Sequence, residues 1–360
     1  MNQLFFRRPS HSPLATDNMS DDELYTLIKN INGKRDGIGY MPDLDVMGSP
    51  PVYHLKPYNL VAKLVTFDPW TEVYAMQHVQ QHTTILVPQI HRVIPESRDR
   101  GFWLVMDFID GECLLEAWPK LSWWRRLQVI CTLRSYIQQL HRAPLPSPDI
   151  PGPSDGTGRS FPCLGNHFDY GAGPFSTYAA MAAWHDHQNH RYQVLLHQQG
   201  VKRIWQYSKF DQSLPLVFCH FDLHMRNIML DKNNRVWLID WAFAGAYPAW
   251  FEYIPLGSTV KTANPMFSLP RSFAWFIGFI VGGCCAPWYY DNYIGDFYLR
   301  IESYRKRLID SDYFVKQGID PKLWQPADVA RPSLPHVMVQ RCFDIVYDTL
   351  LVVRGLFVPA

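Results

Sequence analysis

The stretch "HFDLHMRNIMLDKNNRVWLIDW", His220 to Trp241, sets two buriable acids (Asp222 and Asp240), Asn227 and two histidines in a run that, outside its polar turn, is largely apolar and reads as paired strands. Charged and amide side chains in such a run are costly unless something partners them. The polar turn "DKNNR" separates "NIML" from "VWLID", which is the pattern of a hairpin. Closing that hairpin brings Asn227 and Asp240, the latter expected to close the second strand, to one end, near Asp222 on the preceding loop. An amide oxygen beside a carboxylate makes a hard-oxygen site that suits Mg²⁺ better than zinc. A second carboxylate at the same place can accept the proton of a hydroxyl. Magnesium, a base and a cationic side chain are the parts that phosphoryl transfer requires.

The cation is expected upstream. "LVAKLVTF" carries Lys63 in a β-run, nine residues before Glu72 in "WTEVYAMQHVQQH", where Val73, Met76 and Val79 recur at helical spacing. A strand lysine held by a helix carboxylate and reaching nucleotide phosphates is the kinase arrangement. Around it, "PVYHL" and "LVAKLVTF" flank "KPYN" as a hairpin, and "ILVPQIHRVI" and "GFWLVMDFI" read as two further strands. "SDDE" at Ser20 to Glu23 reads as a capping box opening the helix "ELYTLIKNI". From Ser122 to Arg142 the apolar residues Leu127, Ile130, Leu133, Ile137 and Leu140 mark a long core-facing helix. A Pro/Gly/Ser-rich loop follows, then another helix, roughly "TYAAMAAWHDHQNHRYQVLLHQQ". The expectation is an α+β chain. After a loose tail (1–20) comes a small N-terminal antiparallel-sheet lobe with one helix (21–109). A larger, mostly helical C-terminal lobe (110–360) follows.

Bulk composition removes several alternatives. The 360 residues are 47% hydrophobic and 19% charged, which suits a globular chain and not a disordered one. A net charge of +1 gives no electrostatic footprint for nucleic acid or an anionic membrane. The seven cysteines include no CxxC pair, which speaks for a reducing, cytoplasmic compartment and against a zinc site or a disulfide framework. "SFAWFIGFIVGGCCAPWYY", Ser272 to Tyr290, is uncharged over 19 residues, but Gly282-Gly283 and Pro287 interrupt it. It reads as a buried helix followed by a loop, so no membrane span is expected. The histidines of "HDHQNH" (His185, His187, His190) mix helix faces and lack a matching acid, so they read as a solvated helix end or a pocket rim. "WWRR" at Trp123 to Arg126 reads as the start of the amphipathic helix.

Beyond spacing, "HFDLHMRN" followed by "LIDW" resembles the aminoglycoside phosphotransferase/choline kinase-like superfamily. These are protein-kinase-like two-lobe enzymes that phosphorylate small molecules. The likeness extends from about Val52 to Tyr253, through "EVYAMQHVQQHTTILVP", "LVMDFIDGECLLEAW", "GAGPF" and "AFAGAYPAWFEY". It resembles in particular the fungal proteins of the superfamily, many of them without an assigned substrate. The resemblance implies ATP and Mg²⁺ as cofactors. It implies Asp222 as catalytic base or hydroxyl-orienting residue, Asn227 and Asp240 as metal ligands, and Lys63 on the phosphates with Glu72 holding it. The backbone of Asp107 and Ile109 would meet the adenine edge, Met106 would line the pocket, and His220 and His224 would brace the catalytic loop. Trp241, Trp250 and Glu252 are possible substrate contacts, with a structural role the alternative.

There are departures. Ala242 stands where the family more often has Glu, and no GxGxxG precedes "VYHL", so the phosphate-covering turn is expected upstream, near "MGSPP". Phe221 and Trp241-Ala242 occupy the places where protein kinases carry Arg and Phe-Gly, which disfavours a protein substrate. The expected function is transfer of the γ-phosphate of ATP to a hydroxyl of a small molecule, with no obligate protein partner. The alternative is a pseudokinase-type nucleotide-binding or scaffolding module without turnover.

Overall fold

The computed structural model describes residues 16–32, 52–66, 68–96, 101–165, 168, 171–202, 206–261, 269–281, 286, 312–329 and parts of 331–349. The expected tail up to residue 15, the "MGSPP" turn and most of residues 282–311 lie outside the described residues.

The N-terminal lobe is a four-stranded antiparallel sheet of order β1-β2-β4-β3, formed by β1 (Val52–Leu55), β2 (Leu60–Val65), β3 (Ile90–Pro95) and β4 (Phe102–Asp107). The β1–β2 hairpin turns through Lys56–Tyr58 and ends on Asn59 in the left-handed region (φ 54°), a conformation that Asn tolerates better than most residues. Alternation then sorts the side chains by face. Tyr53, Leu55, Leu60, Ala62, Trp103 and Val105 pack with Leu24 and Ile28 of α1 (Asp21–Asn32). Val65, Leu104 and Met106 pack on the other side with Val73, Met76 and Val79 of α2 (Pro69–His82). Fully burying Leu24 and Ile28 contributes about 1.5–3 kcal/mol each, which makes α1 a structural part of the lobe. The capping box forms: Glu23 N donates to Ser20 Oγ at 3.2 Å and Ser20 N to Glu23 Oε2 at 2.7 Å. Glu96 pins α1 to the sheet, accepting from Tyr25 Oη, Lys29 Nζ and Trp103 Nε1 at 2.6–2.7 Å.

The C-terminal lobe has the short helix α3 (Leu114–Ala117) near its start and is built on α4 (Trp123–Arg142), capped by Ser122, and α5 (Tyr178–Gln198), capped by Thr177, with α6 (Tyr253–Lys261) further along the chain. Leu133, Ile137 and Leu140 of α4 share a core with Phe218 of β6 (Leu216–Cys219), and Tyr136 Oη donates to Val236 O at 3.0 Å. The expected hairpin is present as β7 (Ile228–Asp231) and β8 (Val236–Leu238), with β5 (Gly111–Cys113) on the outer side of β7. β6 pairs antiparallel with β9 (Gly245–Pro248).

Four expectations change. β8 ends at Leu238, so Asp240 lies beyond the strand, in the left-handed region at φ 64°. Of "ILVPQIHRVI", only Ile90 onward is strand; Leu86 instead makes a single bridge to Trp237. The uncharged run after Ser272 is divided, in its described part, into the short helices α7 (Arg271–Ala274) and α8 (Ile277–Ile280), and Trp275 between them is 77% exposed. No helix among the described residues is long and apolar enough to cross a membrane. His185 is not on a solvated helix end: it is buried, stacked on Phe210 at 4.4 Å.

Candidate active site

Strand β2 lies between β1 and β4, so the backbone of Lys63 is registered on both sides, opposite Val52 and Leu104. Its side chain leaves the sheet on the α2 face. There Nζ meets Glu72 Oε1 at 2.7 Å and Asp240 Oδ1 at 2.7 Å. Strand β2, helix α2 and the turn after β8, the last 177 residues away in sequence, therefore meet at one ammonium. Burial alone would lower the pKa of Lys63, but Asp240 and Glu72 together hold it above the ordinary lysine range. Burial pushes the Asp240 carboxyl up, and the Lys63 charge more than offsets this, leaving it below the usual carboxylate range. The pair is thus ionised, and the Asp240 side chain keeps 40% exposure on its other side.

Strand β6 delivers the loop that carries Asp222. Phe221 takes a left-handed φ of 62°, which costs a residue with Cβ roughly 1–2 kcal/mol. Its ring is fully buried against Tyr247 (4.4 Å) and Phe251 (5.6 Å), and that packing holds the conformation. Asn227 Nδ2 donates to Asp222 O and Asp222 Oδ2, both at 2.9 Å. Two left-handed residues, Phe221 and Asp240, bracket this cluster, and such outliers concentrate at functional sites.

The histidines are neutral braces. His220 Nδ1 accepts from Asp222 N at 3.2 Å while Nε2 donates to Ile239 O at 3.0 Å. His224 Nδ1 accepts from Arg226 N at 3.2 Å. Burial pushes both imidazoles down to about 4. Ile239 N donates to Asn227 O at 3.0 Å, which ties the two ends of the hairpin where Asn227 and Asp240 stand.

Trp241, Trp250 and Glu252 are all buried behind the loop. Trp241 stands against His220 at 4.4 Å and donates Nε1–H to Leu238 O. Glu252 Oε1 accepts from His220 N at 2.5 Å. Burial pushes its carboxyl up to about 7, against the pull of the His220 and Phe221 amides. Glu252 fixes the backbone from which Asp222 projects. An acid inside the apolar "AWFEYI" was the available signal, the same one that singled out the opening stretch.

At the lobe junction, Met106 is buried on β4. Asp107 N donates to Gln89 O at 3.0 Å, and Phe108 N to Asn59 O at 3.1 Å. The Asp107 carboxylate accepts from Gln89 N at 3.1 Å and lies 2.7 Å from His91 Nε2. Ile109 follows, and its amide has no backbone partner among the described residues.

The phosphotransferase enzyme family (APH) matches residues 71–280, more than half of the 360-residue chain. The chain belongs to that family. As in the sequence-based expectation, this phosphotransferase-family chain has the two-lobe, protein-kinase-like α+β fold. Among solved structures, it is similar to the GDP complex of wild-type aminoglycoside 2'-phosphotransferase-IIIa. That pair is 12% identical with a TM-score of 0.46, and 82% of this chain and 95% of that one are covered. It is also similar to choline kinase LicA from Streptococcus pneumoniae, at 11% identity and a TM-score of 0.34, with the same two coverages of 82% and 95%. No curated protein sequence matches it significantly.

Proposed function

We propose that this phosphotransferase-family chain is an ATP- and Mg²⁺-dependent kinase that transfers the γ-phosphoryl group to a hydroxyl of a small molecule. The observation that carries this is the single ammonium of Lys63 held 2.7 Å from both Glu72 and Asp240, residues of two different lobes. An N-lobe of residues 21–109 supplies Lys63, Glu72 and the adenine edge. A C-lobe of residues 110–360 supplies Asp222, Asn227 and Asp240.

The donor set fits a magnesium ion. Asn227 commits its nitrogen to Asp222, which leaves the amide oxygen for a metal, and Asp240 commits one oxygen to Lys63, which leaves the other. A carboxylate and an amide oxygen are the ligands such a hard cation takes. When bound, Mg²⁺ neutralises charge on the nucleotide phosphates. Asp222 then aligns the acceptor hydroxyl and takes its proton as the new O–P bond forms and the bond to ADP breaks. Lys63 stabilises the phosphate oxygens, and Glu72 holds the Lys63 side chain in place on the α2 face of the sheet. Asp107 O and Ile109 N face the adenine edge, with Met106 beneath. The five free cysteines among the described residues fit a reducing, cytoplasmic location.

Thermal unfolding with and without ATP and Mg²⁺ tests the site. Nucleotide at a hundred times its dissociation constant stabilises by about 2.7 kcal/mol. That shift is expected only with both ligands present, and it is expected to disappear in Asp240→Ala. ADP release with hydroxyl acceptors then separates a kinase from a nucleotide-binding module without turnover. No shift at millimolar nucleotide overturns the proposal.

A further inference from the structure

Helix α2 carries Glu72, and eight of its fourteen residues are buried: Pro69, Thr71, Val73, Ala75, Met76, His78 and Val79 as well as Glu72. The sheet covers only one side of it. The other side is covered by the C-terminal lobe, through contacts that follow one another along the helix.

Two residues after Glu72, the Tyr74 ring lies against Gly156. A methyl group placed on Gly156 would sit 2.5 Å from Tyr74 Cε2 and 2.9 Å from Cδ2. The φ of Gly156 is +80°, so close approach and backbone conformation both call for glycine at that point. One turn further along, the Tyr74 ring stacks on His78 at 5.6 Å. His78 in turn meets Phe218 at 4.9 Å, and Phe218 is on β6, two residues before His220. At the C-terminal end of the helix, Thr84 N and Oγ1 both donate to Gln139 Oε1 of α4, at 2.8 and 3.0 Å.

The segment that presents Gly156 is itself fixed to the catalytic lobe. Gly152 and Ala246 of β9 exchange two backbone hydrogen bonds of 2.9 Å. Asp155 closes the turn: Oδ1 accepts from Thr157 N at 2.9 Å and Oδ2 pairs with Arg159 at 2.5 Å. Ser154 Oγ accepts from Gly156 N at 3.0 Å.

We infer that residues 152–159 are a strap that clamps α2 to the catalytic lobe through Tyr74, making Tyr74 and Gly156 positioning residues for the Lys63–Glu72 pair. This rests on the kinase reading above. A helix tethered by Tyr74, His78 and Thr84 has no freedom to swing Glu72 away from Lys63 as a unit. Its active placement is therefore built into the fold and needs no modification of the chain to set it. Tyr74 acts through Glu72 and touches no reacting atom.

The test is a double-mutant cycle on the full chain, with affinity for ATP·Mg²⁺ measured by calorimetry. Tyr74→Ala is expected to weaken binding about tenfold, a coupling typical of residues in one network. Tyr74→Phe, which keeps the ring, is expected to restore it. In a Lys63→Ala background Tyr74→Ala is expected to change affinity no further, since the group it positions is gone. Equal affinity in wild type and Tyr74→Ala, or an undiminished loss in the Lys63→Ala background, overturns the strap. Absence of binding in the wild type instead overturns the kinase reading, so the two failures are distinct. If Tyr74→Ala does not fold, Tyr74→Leu carries the same comparison. Gly156→Ala is expected to reproduce the loss from the other side of the contact.

Discussion

Asp222 and Glu252 are both acids next to His220, and their surroundings give them opposite tasks. Asp222 is held by Asn227 and keeps part of its side chain exposed, whereas Glu252 is buried and aimed at the loop's own amides. On the proposed function, Asp222→Asn removes the proton acceptor and keeps the shape. Turnover is expected to fall by about 10²–10⁴-fold, the usual weight of general-base catalysis, with the thermal shift by ATP and Mg²⁺ retained. Loss of both together in a folded variant would remove Asp222 from the chemical role. Glu252 predicts a pH dependence. Its folded pKa of about 7 exceeds the ordinary 4.5, so between those values the folded chain keeps a proton that the unfolded chain has lost. The associated stability is present at low pH and lost as pH rises through 7, and is on the order of 3 kcal/mol. In Glu252→Gln this loss is absent, so the unfolding midpoint of the variant relative to wild type is expected to climb from pH 5 to pH 8. Parallel curves would show that Glu252 is already ionised throughout.

At the level of elements, what could be read from sequence depended on the range of the forces involved. The β1–β2 and β7–β8 hairpins, α2, α4 and α5 were legible because local alternation, helical spacing and caps specify each of them. β5, β6 and β9 are only three or four residues long and exist through partners far away in sequence, which periodicity does not register. Gly111 shows how tight such a partnership is. A Cβ there would fall 2.0 Å from Leu230 O and 2.8 Å from Asp231 Cα, both backbone atoms that cannot turn aside. Gly111→Ala is expected to force β5 off β7 and to cost about 1–3 kcal/mol or more, as other overpacking does. Because β7 starts at Ile228, one residue after Asn227, the same variant is expected to weaken the Mg²⁺-dependent thermal shift. Urea unfolding of the variant with an unchanged midpoint would mean that β5 carries no stability.

Over the whole molecule, burial of histidines sets the acid limit. His141, His220 and His224 are pushed down to about 4 and His185 to about 3, all chiefly by desolvation. Each is neutral when folded and takes up a proton near 6.5 when unfolded. The stability they contribute is therefore present above 6.5 and lost as pH falls toward 4. Four such shifts outweigh the opposite one at Glu252. Stability is expected to decline already between pH 6.5 and 5, where surface carboxylates contribute little. Denaturant midpoints across that range provide the check, and a flat profile down to pH 5 would rule the histidines out.

The order of lobes and the chemical character of the site were written in the chain itself. Asp222, Asn227 and Asp240 stand out because polar groups in an apolar run demand partners, and Lys63 with Glu72 because a strand and a helix each advertise their own period. The last step in Asp240's placement was not local: it stands past the end of β8 in a left-handed turn, held there by Lys63 from the other lobe. The anchoring by Glu252 of the loop that carries Asp222, the cover that α1 gives the outer sheet face and the clamp of residues 152–159 on Tyr74 likewise appear only in three dimensions. Each joins residues far apart in sequence through burial or close approach, and such contacts leave no periodic trace because their energy depends on which surfaces the folded chain finally brings together.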